Sequence, residues 1–436
     1  MKFYGREQEL EQLNTIRLAS YEQAQMTVLV GRRRIGKTRL ILKSFENSKY
    51  LYFFVAKKSE ALLCEEFLLE VKKVLNIPIF GEIKRFSDVF ALLVEYSKQN
   101  QLNLVIDEFQ EFNHINLSIY SEVQAIWDRN KEAAKMNLIL CGSVYSLMHK
   151  IFENPNEPLF GRATERIHLK AFNVATLKAI LSEYQPDFEP KDLLAFYIVT
   201  GGVAKYVELL TDGRQLKYSA IIDLVFKANS LFIDEGKNLL VEEFGKDYQT
   251  YFSILGLISA GKTSRIEMES VLNKTIGGYL DKLETEYNII RRVKPVFSKP
   301  ESRTIKYFMD DNFLNFWFRF VYKYRSAVEI ENFEYLKAIV NKDFDVFATH
   351  FLQKFMINKL QVSKEFNLIG TYWEKQNLNE IDIVAVNELQ MKVLFAEVKI
   401  DKSSINLNLL KQKSTNLLTQ FENFEITYLA FDLEDM

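Results

Sequence analysis

The sequence predicts a multidomain α/β protein. Three observations predict it: the length, an alternation of apolar runs with amphipathic stretches over the first 170 residues, and a change of pattern after them. With 436 residues the chain is too long for one ordinary core, so two or three domains are expected. The runs MTVLV, YLYFFVA, LNLVID and NLILCGS are almost continuously apolar, as are strands covered on both faces of a parallel sheet. The segments between them, such as ALLCEEFLLEVKKVL, have helical spacing. Strand, helix, strand, helix is the order of an α/β domain, expected over residues 1–170.

Composition limits the classes open to the chain. Apolar residues make up 48%, which excludes bulk disorder. The net charge of -2 excludes a polycation, so any nucleic-acid surface is a local patch. The start, MKFYGREQEL, carries charge from residue 2 and lacks the apolar centre of a signal peptide. The apolar runs are shorter than a membrane span, and no membrane partner is expected. Two cysteines, Cys64 and Cys141, do not make a disulfide framework, and a reducing cytoplasm is the expected compartment. His114, His149, His168 and His350 are scattered, which argues against a zinc site.

Beyond residue 170 helices dominate, as in NVATLKAILSEY and PKDLLAFYIV, and a helical segment is expected over 171–245. Three short helical patterns follow: YQTYFSILGLIS, SRIEMESVL and GGYLDKLETEY. A hairpin-like stretch, NIIRRVKPVFSKPESRTIKYFMD, comes next. Helix, helix, helix, hairpin is the order of a winged helix, expected with the aromatic helix after it over 246–325. In that helix, DNFLNFWFRFVYKYR, Asp311 is a candidate N-cap. Its apolar residues crowd several faces, which points to burial. The last part, 335–436, reads helix, strands, helix, strand. No internal repeat is visible.

The strongest motif is Gly31-x4-Gly36-Lys37-Thr38 in VLVGRRRIGKTRLI, after a strand and before a helix. Glycines let the backbone wrap closely round phosphates, and successive N–H groups at a helix N-terminus offer them positive charge. The expected nucleotide contacts run from Gly31 through Arg32, Arg33, Arg34, Ile35, Gly36, Lys37 and Thr38 to Arg39. Lys37 reaches the terminal phosphates of ATP, and the Thr38 hydroxyl is a ligand for Mg²⁺.

Seventy residues after Lys37, LNLVIDEFQ places Asp107 at a strand end, where it can hold Mg²⁺. Glu108 follows and can orient or deprotonate an attacking water. That pair points to hydrolysis rather than binding alone. Ser143 ends the next strand and can touch the γ-phosphate or the water; a turn serine is the alternative. Arg162 and Arg166 follow in PLFGRATERIHL. An arginine offered to a γ-phosphate stabilises transition-state charge, and a surface ion pair is an equal reading.

FYGREQELEQL, the phosphate loop, LVIDEFQ, LILCGSVYSLM, PLFGRATERIHLKAF and GGVAKYVELL occur in one order. In this the chain resembles the archaeal-type prokaryotic P-loop ATPases, related to AAA+ and STAND proteins, whose C-terminal domain is often nuclease-like. The resemblance runs over essentially the whole chain. It implies that Tyr4, Gly5 and Arg6 lie near adenine, that Ser143 is a sensor and Arg162 an arginine finger acting across a homo-oligomer. It also implies a helical lid at 171–245, closing through Gly202. Ala204 stands where that family usually carries proline.

Between Arg291 and Lys306 lie six bases (Arg291, Arg292, Lys294, Lys299, Arg303 and Lys306) and one acid, Glu301. A wing of this kind is where phosphate contacts of DNA would fall. The candidate recognition helix carries Asp281, Glu284 and Glu286 against Lys282, and acids repel phosphates in a groove. A structural or regulatory winged helix is therefore expected before a DNA reader.

In EIDIVAVNELQMKVLFAEVKI, Glu397 and Lys399 share one face of a strand and Val398 points to the other. A hairpin partner can bring Asp382 beside them. Two carboxylates and a lysine suit Mg²⁺-dependent phosphodiester cleavage, with Asp382 and Glu397 on the metal and Lys399 positioning or deprotonating the nucleophile. This looks like the PD-(D/E)xK restriction-endonuclease-like fold, with Trp373 and Glu380 in its usual lead-in. Many such folds add a helix glutamate, and Ala348 and His350 stand near that place. The expectation is an ATP-binding and ATP-hydrolysing protein that gates a Mg²⁺-dependent nuclease-like domain acting on DNA. The alternative is a nucleotide switch whose C-terminal and winged-helix domains bind nucleic acid or protein without cutting.

Overall fold

The computed structural model describes the whole chain except residues 245–247, 300, 303 and 375–377, and describes residue 242 by its backbone alone. The chain divides into two compact units, Lys2–Ala171 and Phe172–Met436, the second also holding Met1.

The Lys2–Ala171 unit is an α/β layer structure. Its strands are β1 (Gln25–Val30), β2 (Leu51–Phe54), β3 (Leu102–Asp107), β4 (Met136–Gly142) and β5 (Glu165–His168). They form one sheet in the order β2-β3-β4-β1-β5, with every pairing parallel. All residues of β3 and β4 are buried, which is why those segments read as unbroken apolar runs. Helices α1 (Glu7–Ala19), α2 (Lys37–Ser44), α3 (Glu60–Leu75), α4 (Phe86–Gln99), α5 (Ser118–Asn130) and α6 (Tyr145–Glu153) accompany it. Phe53 stacks on Phe67 at 4.3 Å, and Phe86 meets Phe112 at 4.6 Å. Such a packed aromatic core holds the strand ends rigidly. The C-terminal ends of parallel strands lie along one edge, so the loops after β1, β3 and β4 converge there.

The second unit begins with α7 (Val174–Tyr184), α8 (Pro190–Thr200), α9 (Ala204–Asp212), α10 (Tyr218–Val225) and α11 (Leu231–Phe244). Ala204 takes the first position of α9, where proline is favoured for its fixed φ. The turn before it is held instead by Thr200. Its hydroxyl donates to Phe196 O at 2.6 Å and accepts from Gly202 N at 3.1 Å. Next come α12 (Tyr248–Ser259), α13 (Arg265–Leu272), α14 (Gly277–Thr285) and the antiparallel hairpin β6 (Ile290–Val293) and β7 (Lys306–Met309). Asp311 then caps α15 (Asn312–Phe320), accepting from Leu314 N at 3.0 Å. The aromatic side chains of α15 are buried. Phe313 packs on Tyr206 of α9 at 4.8 Å, and Phe318 on Phe252 of α12 at 5.5 Å. This helix is thus interior, as its all-round apolar pattern implies.

The C-terminal part opens with α16 (Phe333–Ser363). It continues with β8 (Leu368–Tyr372), β9 (Ile381–Asn387), β10 (Lys392–Val398), α17 (Leu407–Leu418) and β11 (Glu425–Phe431). The sheet is mixed, in the order β11-β10-β9-β8, with only β10 and β11 parallel. Buried Leu410 and Leu417 of α17 pack with Phe395 and Val393 of β10. The loop of the β6–β7 hairpin docks on this sheet. Val296 N donates to Thr371 O at 2.9 Å, and the Phe297 ring meets Phe421 at 5.5 Å. Among the described residues, no helix is long and apolar enough to cross a membrane.

Candidate functional site

The phosphate loop joins β1 to α2. Gly36 is the N-cap of α2 with φ 100° and Lys37 is its first residue, so the helix N-terminus and the lysine face the same loop. A Cβ at Gly31 would lie 2.8 Å from Leu169 O, so only glycine lets this backbone pass. The Lys37 ammonium is buried and donates to Gly31 O at 2.8 Å and Arg32 O at 3.3 Å. Ile35 is buried beneath the loop. Arg32, Arg33, Arg34 and Arg39 lie on the loop and the first turn of α2. Arg34 takes a positive φ of 66°.

Asp107 ends β3 and reaches across to α2: Thr38 Oγ1 donates to its Oδ2 at 3.3 Å. A hydroxyl and a carboxylate meeting at the mouth of a phosphate loop are hard oxygen donors that fit a small divalent cation. The same Oδ2 accepts from the Tyr52 hydroxyl of β2. Burial, then that hydrogen bond, raises the Tyr52 phenol above its ordinary range. Glu108 sits in the left-handed region, φ 55°, with its N–H donating to Asp107 Oδ1 at 2.9 Å. Its Oε2 accepts from Ser143 Oγ at 2.7 Å and from Gln110 Nε2 at 2.5 Å. Cys141 lies buried beside Asp107, and burial pushes its thiol well up.

The structure therefore gathers Lys37, Thr38, Asp107, Glu108 and Ser143. Tyr4 and Gly5 precede α1. Arg6 is buried and donates to Lys170 O at 2.7 Å, just after β5. Arg162 is elsewhere. It pairs with Asp128 at 3.2 Å beside Gln25 and Thr164, at the opposite end of β1 from the phosphate loop. Arg166 donates to Phe152 O at 3.0 Å. Gly202 belongs to the second unit, where its carbonyl accepts from Phe172 N at 2.8 Å.

A second cluster lies in the C-terminal sheet. Ala396 pairs with Ile383 across β10 and β9, so Glu397 and Asp382 come alongside. Lys399 Nζ stands 3.2 Å from Glu397 Oε1 and 3.8 Å from Asp382 Oδ2. Val398 N donates to Asp382 Oδ2 at 2.8 Å. Burial, and next the Glu397 charge, push the Asp382 carboxyl up to about 6. Burial depresses the Lys399 ammonium, but the two carboxylates outweigh it and raise it. A further lysine was not expected: Lys413 of α17 lies 3.3 Å from both oxygens of Glu397.

The helix positions near the trio turn out differently from expectation. Ala348 is buried core. His350 stacks on Phe308 of the hairpin at 4.9 Å, and burial lowers its imidazole to about 3. From α16, Gln353 reaches β9, donating to Asp382 O at 2.6 Å. Trp373 and Glu380 meet the hairpin, through a Lys306 ammonium 4.5 Å above the indole and 2.9 Å from Glu380. Among the described residues no group of three His, Cys, Asp or Glu side chains gathers as a metal-ligand set.

Arg291 and Arg292 of the wing are ion-paired within the unit. Arg292 pairs with Asp281 at 3.4 Å and with Glu284, the acids of α14, and Arg291 with Asp310 at 2.9 Å. The acids of α14 are thus answered by Arg292 of the hairpin. Lys299 is exposed, and Arg303 lies outside the described residues.

Comparison with known proteins bears on the part of the chain that holds the phosphate loop. Residues 3–210 match an ATPase domain found predominantly in Archaea. Over that stretch the chain is similar to an archaeal-type P-loop ATPase domain. The family matched by residues 317–415 is one of archaeal and bacterial proteins of unknown function. An uncharacterized protein of Methanocaldococcus jannaschii, MJECL04, is 29% identical over 414 residues, covering 91% of this chain and 87% of that one. The Walker-type ATPase PABY2304 of Pyrococcus abyssi superposes with a TM-score of 0.56 at 17% identity, over 73% of this chain and 96% of that one. That likeness supports the fold of the ATPase domain.

Proposed function

We propose that the chain is an ATP-hydrolysing nucleotide switch of the AAA+/STAND kind, whose second unit carries a helical lid (171–245), a winged helix (246–325) and a restriction-endonuclease-like domain (335–436). The observation that carries hydrolysis is the contact of Ser143 and Glu108 beside Asp107 and Thr38. It sets a carboxylate base, its orienting hydroxyl and a cation ligand pair at one strand edge. Lys37 and the loop N–H groups bind the phosphates, and Glu108 holds the attacking water's proton. Bound Mg²⁺, held by Thr38 and Asp107, supplies charge neutralisation for the phosphates. Tyr4, Gly5 and Arg6 take the base end. Lys37→Ala is expected to abolish nucleotide binding or turnover. Wild-type protein that never hydrolyses ATP, alone or assembled, would sink this reading.

In the second unit, nucleotide state acts through the hairpin, whose Val296 and Phe297 are packed on the C-terminal sheet. The gated activity is Mg²⁺-dependent cleavage of DNA at Asp382, Glu397 and Lys399. Cleavage by wild type with ATP and Mg²⁺ or Mn²⁺, lost in Asp382→Ala, tests it.

A second reading has an observation of its own. Lys399 and Lys413 both sit on Glu397, and α16 offers Gln353 where a third acid would complete a metal site. Two lysines on one carboxylate suit a module that binds without cutting. That reading predicts ATP-dependent binding or assembly that survives loss of the whole trio.

A further inference from the structure

A cavity of about 650 Å³ lies within the second unit, between the β6–β7 hairpin, α16 and the start of the C-terminal sheet. Its size is that of a small-ligand site. Its wall carries Arg291, Lys306 and Lys354 together with His350, Phe308 and Trp373. Glu380 also lines the cavity, an acid held by Lys306 at 2.9 Å.

Lys354 decides what the cavity takes. Its ammonium is part-buried and donates to Asp310 O at 2.6 Å and Asn312 Oδ1 at 2.8 Å, both neutral acceptors. Among the described residues no carboxylate comes within ion-pair distance of it. The carboxylate that acts on it, Asp310, lies beyond that distance and is already paired with Arg291. An ammonium withdrawn from water with only a shared counter-charge is costly, and an anion in the cavity lowers that cost. Arg291 reaches the same place. It is paired with Asp310 through Nε, and a guanidinium has further donors. Lys354, Arg291 and Lys306 line the cavity together with His350, on which all three charges act. The stacked rings of Phe308 and His350 supply an aromatic wall beside it. Cations with aromatic faces are the chemistry that recognises nucleotides.

We infer that this cavity binds a phosphate-bearing nucleotide unit, its oxyanion seated between Lys354, Arg291 and Lys306 and its base against the Phe308–His350 wall. The site is separate from the phosphate loop and does not require cleavage at Asp382. It adjoins that cluster all the same: Gln353 lines the cavity and donates to Asp382 O. Phosphate and base are shared by a free nucleotide and by a strand of nucleic acid, so the test distinguishes them.

The test uses the full chain carrying Lys37→Ala, so that the phosphate loop is disabled. AMP and a short 5′-phosphorylated single-stranded DNA are titrated against it, by calorimetry and by fluorescence anisotropy. At least one is expected to bind, with affinity falling roughly tenfold or more on adding Lys354→Gln, as loss of one charged hydrogen bond implies. Tighter binding of the strand identifies nucleic acid, and tighter or equal binding of AMP a free nucleotide. Arg291→Gln is the companion variant, should Lys354→Gln fail to fold. The inference is overturned if neither probe binds, or if the folded variants bind as the parent does. ATP turnover is read separately on the native chain, so the failure of this site and of the ATPase reading are different results.

Discussion

Ser143 Oγ donates a 2.7 Å hydrogen bond to Glu108 Oε2, tying together the ends of neighbouring strands β3 and β4 beside the phosphate loop. The bond fixes the carboxylate beside the Thr38–Asp107 pair, where the proposed function has it orient an attacking water. Glu108→Gln keeps the shape and loses the base, so ATP binding is expected to persist while kcat falls by about 10²–10⁴-fold. Ser143→Ala removes one bond to a charged group, about 1.5–3 kcal/mol, and is expected to lower kcat about ten- to a hundredfold. Single-turnover hydrolysis beside a nucleotide-binding titration separates the two effects.

Tyr52 holds the same machinery from the edge of the sheet. Its hydroxyl and that of Thr38 both donate to Asp107 Oδ2. Partners of this kind orient a carboxylate for its cation, and their loss typically costs 10–100-fold in metal affinity. Tyr52→Phe is expected to raise the Mg²⁺ concentration for half-maximal ATP turnover by about tenfold or more. An unchanged Mg²⁺ requirement would show that the hydroxyl is idle.

These contacts also mark where the sequence was legible. Strands β1 to β4 could be read because burial on both faces leaves an unbroken apolar run. Strand β5, Glu165–His168, could not: it is an edge strand with Ile167 as its one buried residue. The phosphate loop, Asp107, Glu108 and Ser143 were readable because their spacing and strand ends are local. Tyr52 looked like one more apolar position in YLYFFVA, and its polar tip was the missed signal. Lys413 is one turn from both Leu410 and Leu417, which marks the packed face of α17, yet its partner Glu397 lies in another element. Arg291, Arg292 and Lys306 looked like part of a DNA surface because their acids, Asp281, Glu284, Asp310 and Glu380, are spread over a hundred residues. Only the fold brings them together.

Asp382 gives the C-terminal sheet a pH signature. Its carboxyl is raised from the usual 3.8 to about 6 by burial and by Glu397. It also faces Lys399, Glu380 and Val398 N–H. A raised acid favours the fold while protonated, so its contribution is full below about pH 4 and is lost as pH rises through about 6. Asp382→Asn mimics the neutral acid and still accepts from Val398 N. In EDTA it is expected to be more stable than wild type at about pH 7–8, by at most about 3 kcal/mol, with the difference closing toward pH 4. Urea denaturation of both proteins across that range checks it. A constant difference with pH would place the cost elsewhere.

Arg162 supports a prediction about assembly. It sits with Asp128 at the far end of β1 from its own phosphate loop, so it cannot serve that loop's phosphates by a side-chain movement. An Arg162 that serves a γ-phosphate therefore serves that of a second copy, and charge stabilisation of that kind is worth about 10³–10⁵ in rate. Arg162→Ala and Lys37→Ala are each expected to be nearly inactive alone. Mixed, they form interfaces in which an intact loop from one copy meets an intact Arg162 from the other. Turnover is expected to return in the mixture and to rise with total protein concentration. A mixture no more active than its parts would leave Arg162 as a partner of Asp128 with no part in hydrolysis.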